Sequence, residues 1–241
     1  RRLTFRGQQI TVEETTERSL EGADIVFCSA SSAVSLRWGP WLRAQGAVMI
    51  DDGSAYRMDA DVPLVVPEVN GADLDWHRGI VSIPNCPTTP LCQTLWPAHK
   101  VNPIARVIVD TYQSVSGTGG AAMHELTEQS RLVLDGNPTS PHVYPHQIAF
   151  NLLPQVDVFL GSGYTKEEWK MMNETRKIMH EPDLAISATC VRVPVFVGHS
   201  EAVHVEFSRP MSPEDFSSII REAPGITVQD EGAPIAGNPH A

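Results

Sequence analysis

ADIVFCSASSAVSLRWGPWLRAQGAVMID, residues 23–51, sets two short apolar runs on either side of a helical pattern. Ala23-Asp24-Ile25-Val26-Phe27-Cys28 is nearly continuous in apolar character, as a strand buried on both faces would be, and Ala47-Val48-Met49-Ile50-Asp51 repeats it. Between them Val34, Leu36, Trp38, Trp41 and Leu42 fall at helical spacing, and Gly46 stands where a C′ glycine would end the helix. This β-α-β order implies a parallel sheet. Ligands of such sheets bind at the carboxyl ends of the strands, so Ser29-Ala30-Ser31-Ser32 either touches a nucleotide cofactor or serves only as a polar turn and helix cap.

Outward from this unit, Gln9-Ile10-Thr11-Val12-Glu13 alternates like an edge strand of an α/β sheet. Downstream, Asp51–Arg57 reads as a loop, Pro63–Val69 as a short strand boxed by prolines, and Gly79–Ile83 as a further strand. Five strand candidates therefore precede Cys86. This thiol lies in Ile83-Pro84-Asn85-Cys86-Pro87-Thr88-Thr89-Pro90, between a strand and a helix start. At such a junction free backbone N–H groups and the positive end of the helix dipole favour thiolate over thiol. Cys86 is thus a candidate nucleophile, against the alternative that a lone cysteine is a small buried hydrophobe. The helix starts either at Pro87 or at Pro90 with Thr89 as its cap.

Beyond Cys86 the pattern changes. Ile104–Val115 alternates over a length that predicts an antiparallel sheet and a second domain, to which Ala185–Phe196 and Ala202–Arg209 contribute strands and Ile226–Val228 a last one. Ser116-Gly117-Thr118-Gly119-Gly120 opens a helix over 121–134 and either cradles a phosphate or makes a sharp corner. Thr165-Lys166-Glu167-Glu168 has capping-box spacing ahead of a helix over 169–179, and Pro213–Glu222 reads as another helix. The expected fold is α/β: a Rossmann-like parallel-sheet domain over 1–85, incomplete, and an α+β domain with an antiparallel sheet over 86–241.

The 241 residues carry a formal charge of -11 and no Lys/Arg block, which argues against a nucleic-acid partner. No run approaches the length needed to span a bilayer, so no membrane association is expected. Cys28, Cys86, Cys92 and Cys190 lie far apart without CxxC spacing, which argues against a metal site or a disulfide framework and fits a reducing cytoplasm. The chain opens at Arg1-Arg2-Leu3-Thr4-Phe5 without methionine and closes at Asn238-Pro239-His240-Ala241, which reads as mid-loop. A fragment of a longer protein is therefore expected.

PNCPTT (84–89), TYQSVSG (111–117), GYTKEEWKMMNETRKI (163–178) and CVRVPVFVGHSE (190–201) together resemble the aspartate-semialdehyde dehydrogenases. LTFRGQQITVEE (3–14), SLEGADIVFCSASSAVS (19–35) and DGSAYRMDADVPLVVPEVN (52–70) extend the resemblance over nearly the whole chain, in family order. It implies NADPH-dependent reductive dephosphorylation of L-aspartyl-4-phosphate to L-aspartate 4-semialdehyde, through a cysteine thioester, in lysine, threonine and methionine biosynthesis. By the same resemblance Cys86 is the nucleophile, His199 the general acid/base and Gln113 the residue that positions substrate on the thiol.

The resemblance further implies that Arg192 clamps the substrate carboxylate, that Arg57, Asn85 and Lys170 contact phosphate, and that Glu167 lies near the substrate amino group. Charges such as Glu167 and Lys170 in a first helical turn can equally be solvated or dipole-compensating. Cofactor contacts fall on Ser29, Ala30, Ser116 and Gly117, with NADP as the cofactor, and the partners implied are aspartyl phosphate, phosphate and a second copy of the chain in a homodimer or homotetramer. Arg192 and His199 are seven apart, so a turn near Val197-Gly198 is required to bring both to one face.

The chain departs from the family at Asp52, at Ser31-Ser32 and at Pro87, where the pattern has Asn, Gly-Gly and Ser, and the family's glycine-rich turn and closing C-terminal segment have no counterpart in it. Weak NADP(H) binding and little activity are expected of this length of chain alone. The rival readings are a reductase of N-acetyl-γ-glutamyl phosphate, a thiol hydrolase or acyltransferase that uses no nucleotide, and a non-catalytic fragment.

Overall fold

A computed structural model describes residues 1–229. Asn238-Pro239-His240-Ala241, read above as a loop, lies outside the described residues. The chain divides into two compact units, Arg1–Pro63 with Asp73–Ile83, and Leu64–Ala72 with the described residues from Pro84 onward.

The first unit opens with a hairpin, β1 (Arg2–Phe5) and β2 (Gln8–Thr11), paired antiparallel as a sheet of their own. Its two-residue turn, Arg6-Gly7, has φ of 49° and 78°, which is the twist that short hairpins favour. The stretch Gln9–Glu13 is therefore one arm of a hairpin and not the edge of the parallel sheet. Its alternation could not say which strand it pairs with. After the short helix α1 (Glu17–Leu20) come β3 (Ile25–Cys28), the helix α2 (Ser32–Ala44), β4 (Val48–Asp51) and β5 (Ile80–Ser82). These strands form a parallel sheet in the order β3-β4-β5. Gly46, with φ of 80°, stops α2, and Ala47 N–H closes the turn on Leu42 C=O at 3.1 Å.

Trp38 and Leu42 of α2 pack with Met49, Tyr56, Val62 and Ile80 into the core of this unit. Gly39 lets the helix approach the sheet, because a Cβ there would lie 2.8 Å from Tyr56 Oη and 3.0 Å from Met49 Cε. The expectation that Ala23–Cys28 is covered on both faces is corrected: Ile25 and Phe27 are 56% and 78% exposed. β3 is an edge strand, and α2 covers only the face that carries Val26 and Cys28.

In the second unit Pro63–Val69 is not a strand. Val66 leads into α3 (Pro67–Asn70), and the Asn70 amide satisfies the backbone locally, accepting Val66 N–H and donating to Leu64 C=O, each at 2.9 Å. The prolines at 63 and 67 have no N–H for a ladder, so the segment turns into a helix. Next come α4 (Thr88–Val101), β6 (Ile104–Gln113), α5 (Gly120–Leu134), α6 (Lys166–Ile178), β7 (Ala185–Arg192), β8 (His199–Phe207) and α7 (Pro213–Arg221). The strand order is β7-β6-β8, with β8 antiparallel to β6 and β7 parallel to it. The sheet is therefore mixed where antiparallel pairing throughout was expected. The long connection through α5 and α6 returns the chain in the direction of β6, which a short turn cannot do.

Leu91, Cys92 and Leu95 of α4, Val107 and Val109 of β6, and Met171 and Ile178 of α6 form the main core of this unit. Ile226–Val228, predicted as a strand, is irregular: it follows Gly225 at φ 75° and has no strand partner among the described residues. Among those residues no helix is long and apolar enough to cross a membrane.

Candidate active site

The site of the second unit is built where α4 begins, β6 and β7 end and β8 begins. Pro87 caps α4, so the helix starts at Thr88, and its hydrogen bonding begins with Thr89 N–H donating to Asn85 C=O at 3.2 Å. Cys86 thus stands just before the cap, against the first turn, where backbone N–H groups have no helical acceptor. It is exposed, whereas Cys92 and Cys190 are buried and burial pushes their thiols up to about 12. Asn85 N–H donates to Glu174 Oε2 of α6 at 2.7 Å, which pins the backbone before the thiol.

In register, Gln113 at the end of β6 is the Cα partner of Arg192 in β7 on one side and of His199 in β8 on the other. Residues opposite one another in a sheet share a face, so the three side chains form one row. Gly198, at φ 88°, turns the chain immediately before His199. The row meets the thiol directly: His199 Nε2 lies 3.3 Å from Cys86 Sγ, and Sγ–H donates to Asn85 Oδ1 at 3.2 Å. Burial holds the His199 pKa below its ordinary value and the Arg192 charge adds to this, against Gly198 and Glu167.

The acidic side of the row comes from α6, whose Thr165/Glu168 capping box is formed. Gln113 Nε2 donates to Glu167 Oε1 at 2.9 Å, and Lys170 Nζ reaches Glu167 Oε2 at 3.0 Å and Asp157 Oδ2 at 3.1 Å. Burial works against the charge of Glu167, but Lys170 and the amides of Gln113 and Asn85 outweigh it, so the carboxyl lies below the usual range. Burial likewise opposes the Lys170 charge, yet Glu167 and Asp157 raise its pKa. Arg192 Nη1 donates to Ser114 C=O at 2.7 Å, and its guanidinium lies 6.0 Å from the Tyr144 ring centroid. Ser116 and Gly117 follow at the rim, Gly117 so close to the row that a Cβ would lie 3.3 Å from Arg192 Nη1 and 3.4 Å from the His199 ring.

One set of contacts thus joins Cys86, Asn85, Gln113, Glu167, Lys170, Arg192, His199, Ser116 and Gly117. Ser29, Ala30 and Arg57 belong to the first unit. There Ser29 Oγ donates to Asp52 Oδ2 at 3.0 Å and Arg57 Nη2 donates to Asp52 C=O at 2.9 Å. Ser29 and Ala30 border a cavity of about 260 Å³ at the end of β3, lined also by Phe27, Cys28, Val34 and Trp38. Ser31 caps α2 without a side-chain hydrogen bond, and the N–H groups of such a helix N-terminus suit a phosphate-bearing cofactor. Among the described residues no group of three or more His, Cys, Asp or Glu could hold a metal ion.

Sequence reasoning passed over Ser114, Glu174 and Glu201. Each lies within a motif quoted above, but nothing in a sequence marks a group that holds another, as Ser114 and Glu174 do, or a carboxyl that the fold buries, as it does Glu201.

Residues 2–77 match the semialdehyde dehydrogenase NAD binding domain, and residues 95–238 the semialdehyde dehydrogenase dimerisation domain. The chain is 47% identical over 238 residues to the aspartate-semialdehyde dehydrogenase of Bacillus subtilis, covering 95% of this chain and 69% of that protein. Over 232 residues it is 47% identical to the Aquifex aeolicus enzyme, covering 95% of this chain and 68% of the relative. The crystal structure of aspartate semialdehyde dehydrogenase II of Vibrio cholerae complexed with ASA superposes with a TM-score of 0.90 at 41% identity, covering 94% of this chain and 68% of that one. A nicotinamide-binding domain and a dimerisation domain of semialdehyde dehydrogenases are thus matched in order along one chain, which belongs to the aspartate-semialdehyde dehydrogenase family of oxidoreductases.

Proposed function

We propose that this chain carries the acyl-phosphate chemistry of its family on Cys86, reducing L-aspartyl-4-phosphate to L-aspartate 4-semialdehyde with NADP(H), within cytoplasmic biosynthesis of lysine, threonine and methionine. The observation that carries the reading is the exposed Cys86 Sγ just before the N-cap of α4 with His199 Nε2 at 3.3 Å. The thiolate attacks the acyl carbon, a C–S bond forms, the C–O bond to phosphate breaks, and phosphate leaves with the electron pair. Ser29, Ala30, Ser116 and Gly117 would hold the nicotinamide cofactor, which would supply the hydride for reduction of the thioester. His199 donates a hydrogen bond to the oxygen on which negative charge develops, and collapse of the C–S bond releases the aldehyde and restores the thiolate.

Arg192 suits a bidentate grip on the α-carboxylate, Glu167 the amino group, and Lys170, Asn85 and Arg57 the phosphate. Gln113, held by Glu167, orients the acyl group over the sulfur. Ser29, Ala30, Ser116 and Gly117 are the proposed cofactor contacts, and the functional division is placed at 85/86. The match over 95–238 supports a homodimer or homotetramer.

The test is Cys86→Ser in the complete protein, assayed for NADPH-dependent turnover and, separately, by mass spectrometry of protein mixed with aspartyl phosphate without nucleotide. The expected result is a mass adduct on Cys86 with release of phosphate, and turnover of the serine variant below about 1% of wild type. Turnover kept by the serine variant overturns the assignment. Phosphate release that continues past one equivalent without NADPH favours the thiol hydrolase, and activity on N-acetylglutamyl phosphate favours the sister reductase.

A further inference from the structure

A backbone amide can only donate, and the amide of Ser114 is spent on the histidine. Ser114 N–H points at His199 Nδ1 at 3.0 Å, and Ser114 Oγ lies 3.2 Å from the same nitrogen and 2.9 Å from Ser116 Oγ. Nδ1 must therefore present its lone pair, and a neutral imidazole whose Nδ1 accepts carries its proton on Nε2. Nε2 is the nitrogen 3.3 Å from Cys86 Sγ. Ser114 is itself fixed: it is fully buried, it follows Gln113 at the centre of the row, and its carbonyl accepts Arg192 Nη1 at 2.7 Å.

We infer that Ser114 is a positioning residue that holds His199 as the neutral Nε2–H imidazole, so that His199 meets Cys86 as a hydrogen-bond donor and does not take the thiol proton. This deepens the proposed function and rests on Cys86 as the nucleophile. The groups facing the ring agree with it. Arg192 from β7 places a positive charge beside it, and Cys86 at the start of α4 stands at the positive end of a helix dipole, which both oppose an imidazolium. Among the described residues the opposing charges are Glu167 from α6, which is engaged by Lys170 and Gln113, and the Cys86 thiolate once it forms, which Nε2–H already meets as a donor. A second proton could enter only at Nδ1, against the Ser114 N–H.

The consequence is a division of labour. The thiol proton, which points to Asn85 Oδ1, leaves to water from the exposed Cys86, and the thiolate is stabilised by the first turn of α4 and by Nε2–H. No base is consumed in forming the thioester, since phosphate leaves as an anion. Nε2–H is thus still in place when negative charge appears on the carbonyl oxygen.

The test uses the full chain labelled with 15N-histidine, with the His199 signals assigned by their loss in His199→Gln. Long-range 1H–15N correlation should show a protonated Nε2 and a bare Nδ1 across neutral pH, and alkylation of Cys86 by iodoacetamide, followed at the peptide level, should rise with pH in a single step. A doubly protonated ring near neutral pH, an Nδ1–H tautomer, or a separate histidine step in the alkylation profile would overturn the inference. Ser114→Pro removes the N–H and the hydroxyl at a residue whose φ is already -66° and sets its Cδ where the hydrogen pointed, so it should displace the ring and release a mixture of tautomers. A proline variant that keeps the single Nε2–H form would show that Ser114 is not what holds it, and if that variant fails to fold the wild-type spectrum decides. Because tautomer and alkylation are read without substrate, loss of the family activity would leave this result standing, and the reverse also holds.

Discussion

Glu174 Oε2 accepts the backbone N–H of Asn85 at 2.7 Å, a bond between residues 89 apart in the chain that ties α6 to the peptide unit just before Cys86. Glu174 is 1% exposed, so its carboxylate is committed to the interior. Glu174→Ala leaves a buried N–H without its acceptor, at a cost of about 1–3 kcal/mol. It should lower the thermal midpoint and slow alkylation of Cys86, while Glu174→Gln, which keeps an acceptor oxygen, should do less. Equal stability of the alanine variant and wild type in denaturant melts would show that the bond does not hold the loop.

Arg192→Lys keeps the charge but loses the planar fork. At the end of β7, with Nη1 on Ser114 C=O and the guanidinium beside Tyr144, the fork holds the carbonyl and leaves further N–H groups for a carboxylate, a planar arrangement that a compact ammonium does not reproduce. A fall in kcat/KM of roughly 100-fold, carried largely by KM, is expected from steady-state kinetics. Unaltered constants in the lysine variant would remove Arg192 from substrate binding.

Glu201 of β8 pairs with Thr111 beneath the row, and its Oε1 has no hydrogen-bond partner. Burial raises its pKa from 4.5 to about 7. Below pH 4.5 the folded and unfolded chains both carry this proton and nothing is lost; as pH rises through 7 the unfolded chain has released it first, so stability falls. The loss is on the order of 3 kcal/mol by pH 8, at about 1.4 kcal/mol for each pKa unit. Glu201→Gln should be the more stable protein at pH 8 and should flatten the dependence, as judged by urea unfolding at several pH values. A slope unchanged by the substitution would mean that Glu201 is not its source.

Gly39→Ala places a methyl group 2.8 Å from Tyr56 Oη and 3.1 Å from Ile80 Cδ1. Alanine is the better helix former, so on propensity alone the change would stabilise α2. Overpacking against the sheet should win, with a net loss of about 1–3 kcal/mol seen as a lower thermal midpoint. A raised midpoint would show that the helix can back away from the sheet.

The run of residues 23–51 carried enough local information to predict its own structure. Apolar strands flanking an amphipathic helix leave a parallel β-α-β unit as the economical way to bury both, and Gly46 and the Thr165/Glu168 box mark helix ends through bonds between near neighbours in the chain. The same kind of reading failed where the partner was remote. Gln9–Glu13 alternates equally well for a hairpin or a sheet edge, Pro63–Val69 is apolar enough for a strand until Asn70 bonds it into a turn, and Ile104–Val115 has a period but no direction, so it could not show that β7 runs parallel to it.

At the site, residue types and motif order named Cys86, Gln113, Arg192 and His199 as candidates. Their common row, and the places of Ser114, Glu174 and Glu201 around it, depend on which strand lies beside which and in what register. The sequence alone determined the local elements and the chemical types available, because those follow from side-chain volume, polarity and bonds within a few residues. Only the tertiary structure decided that His199 faces Cys86 with Nε2 and Ser114 with Nδ1, because a hydrogen bond acts over about 3 Å and the residues it joins here are 113 and 85 apart in the chain.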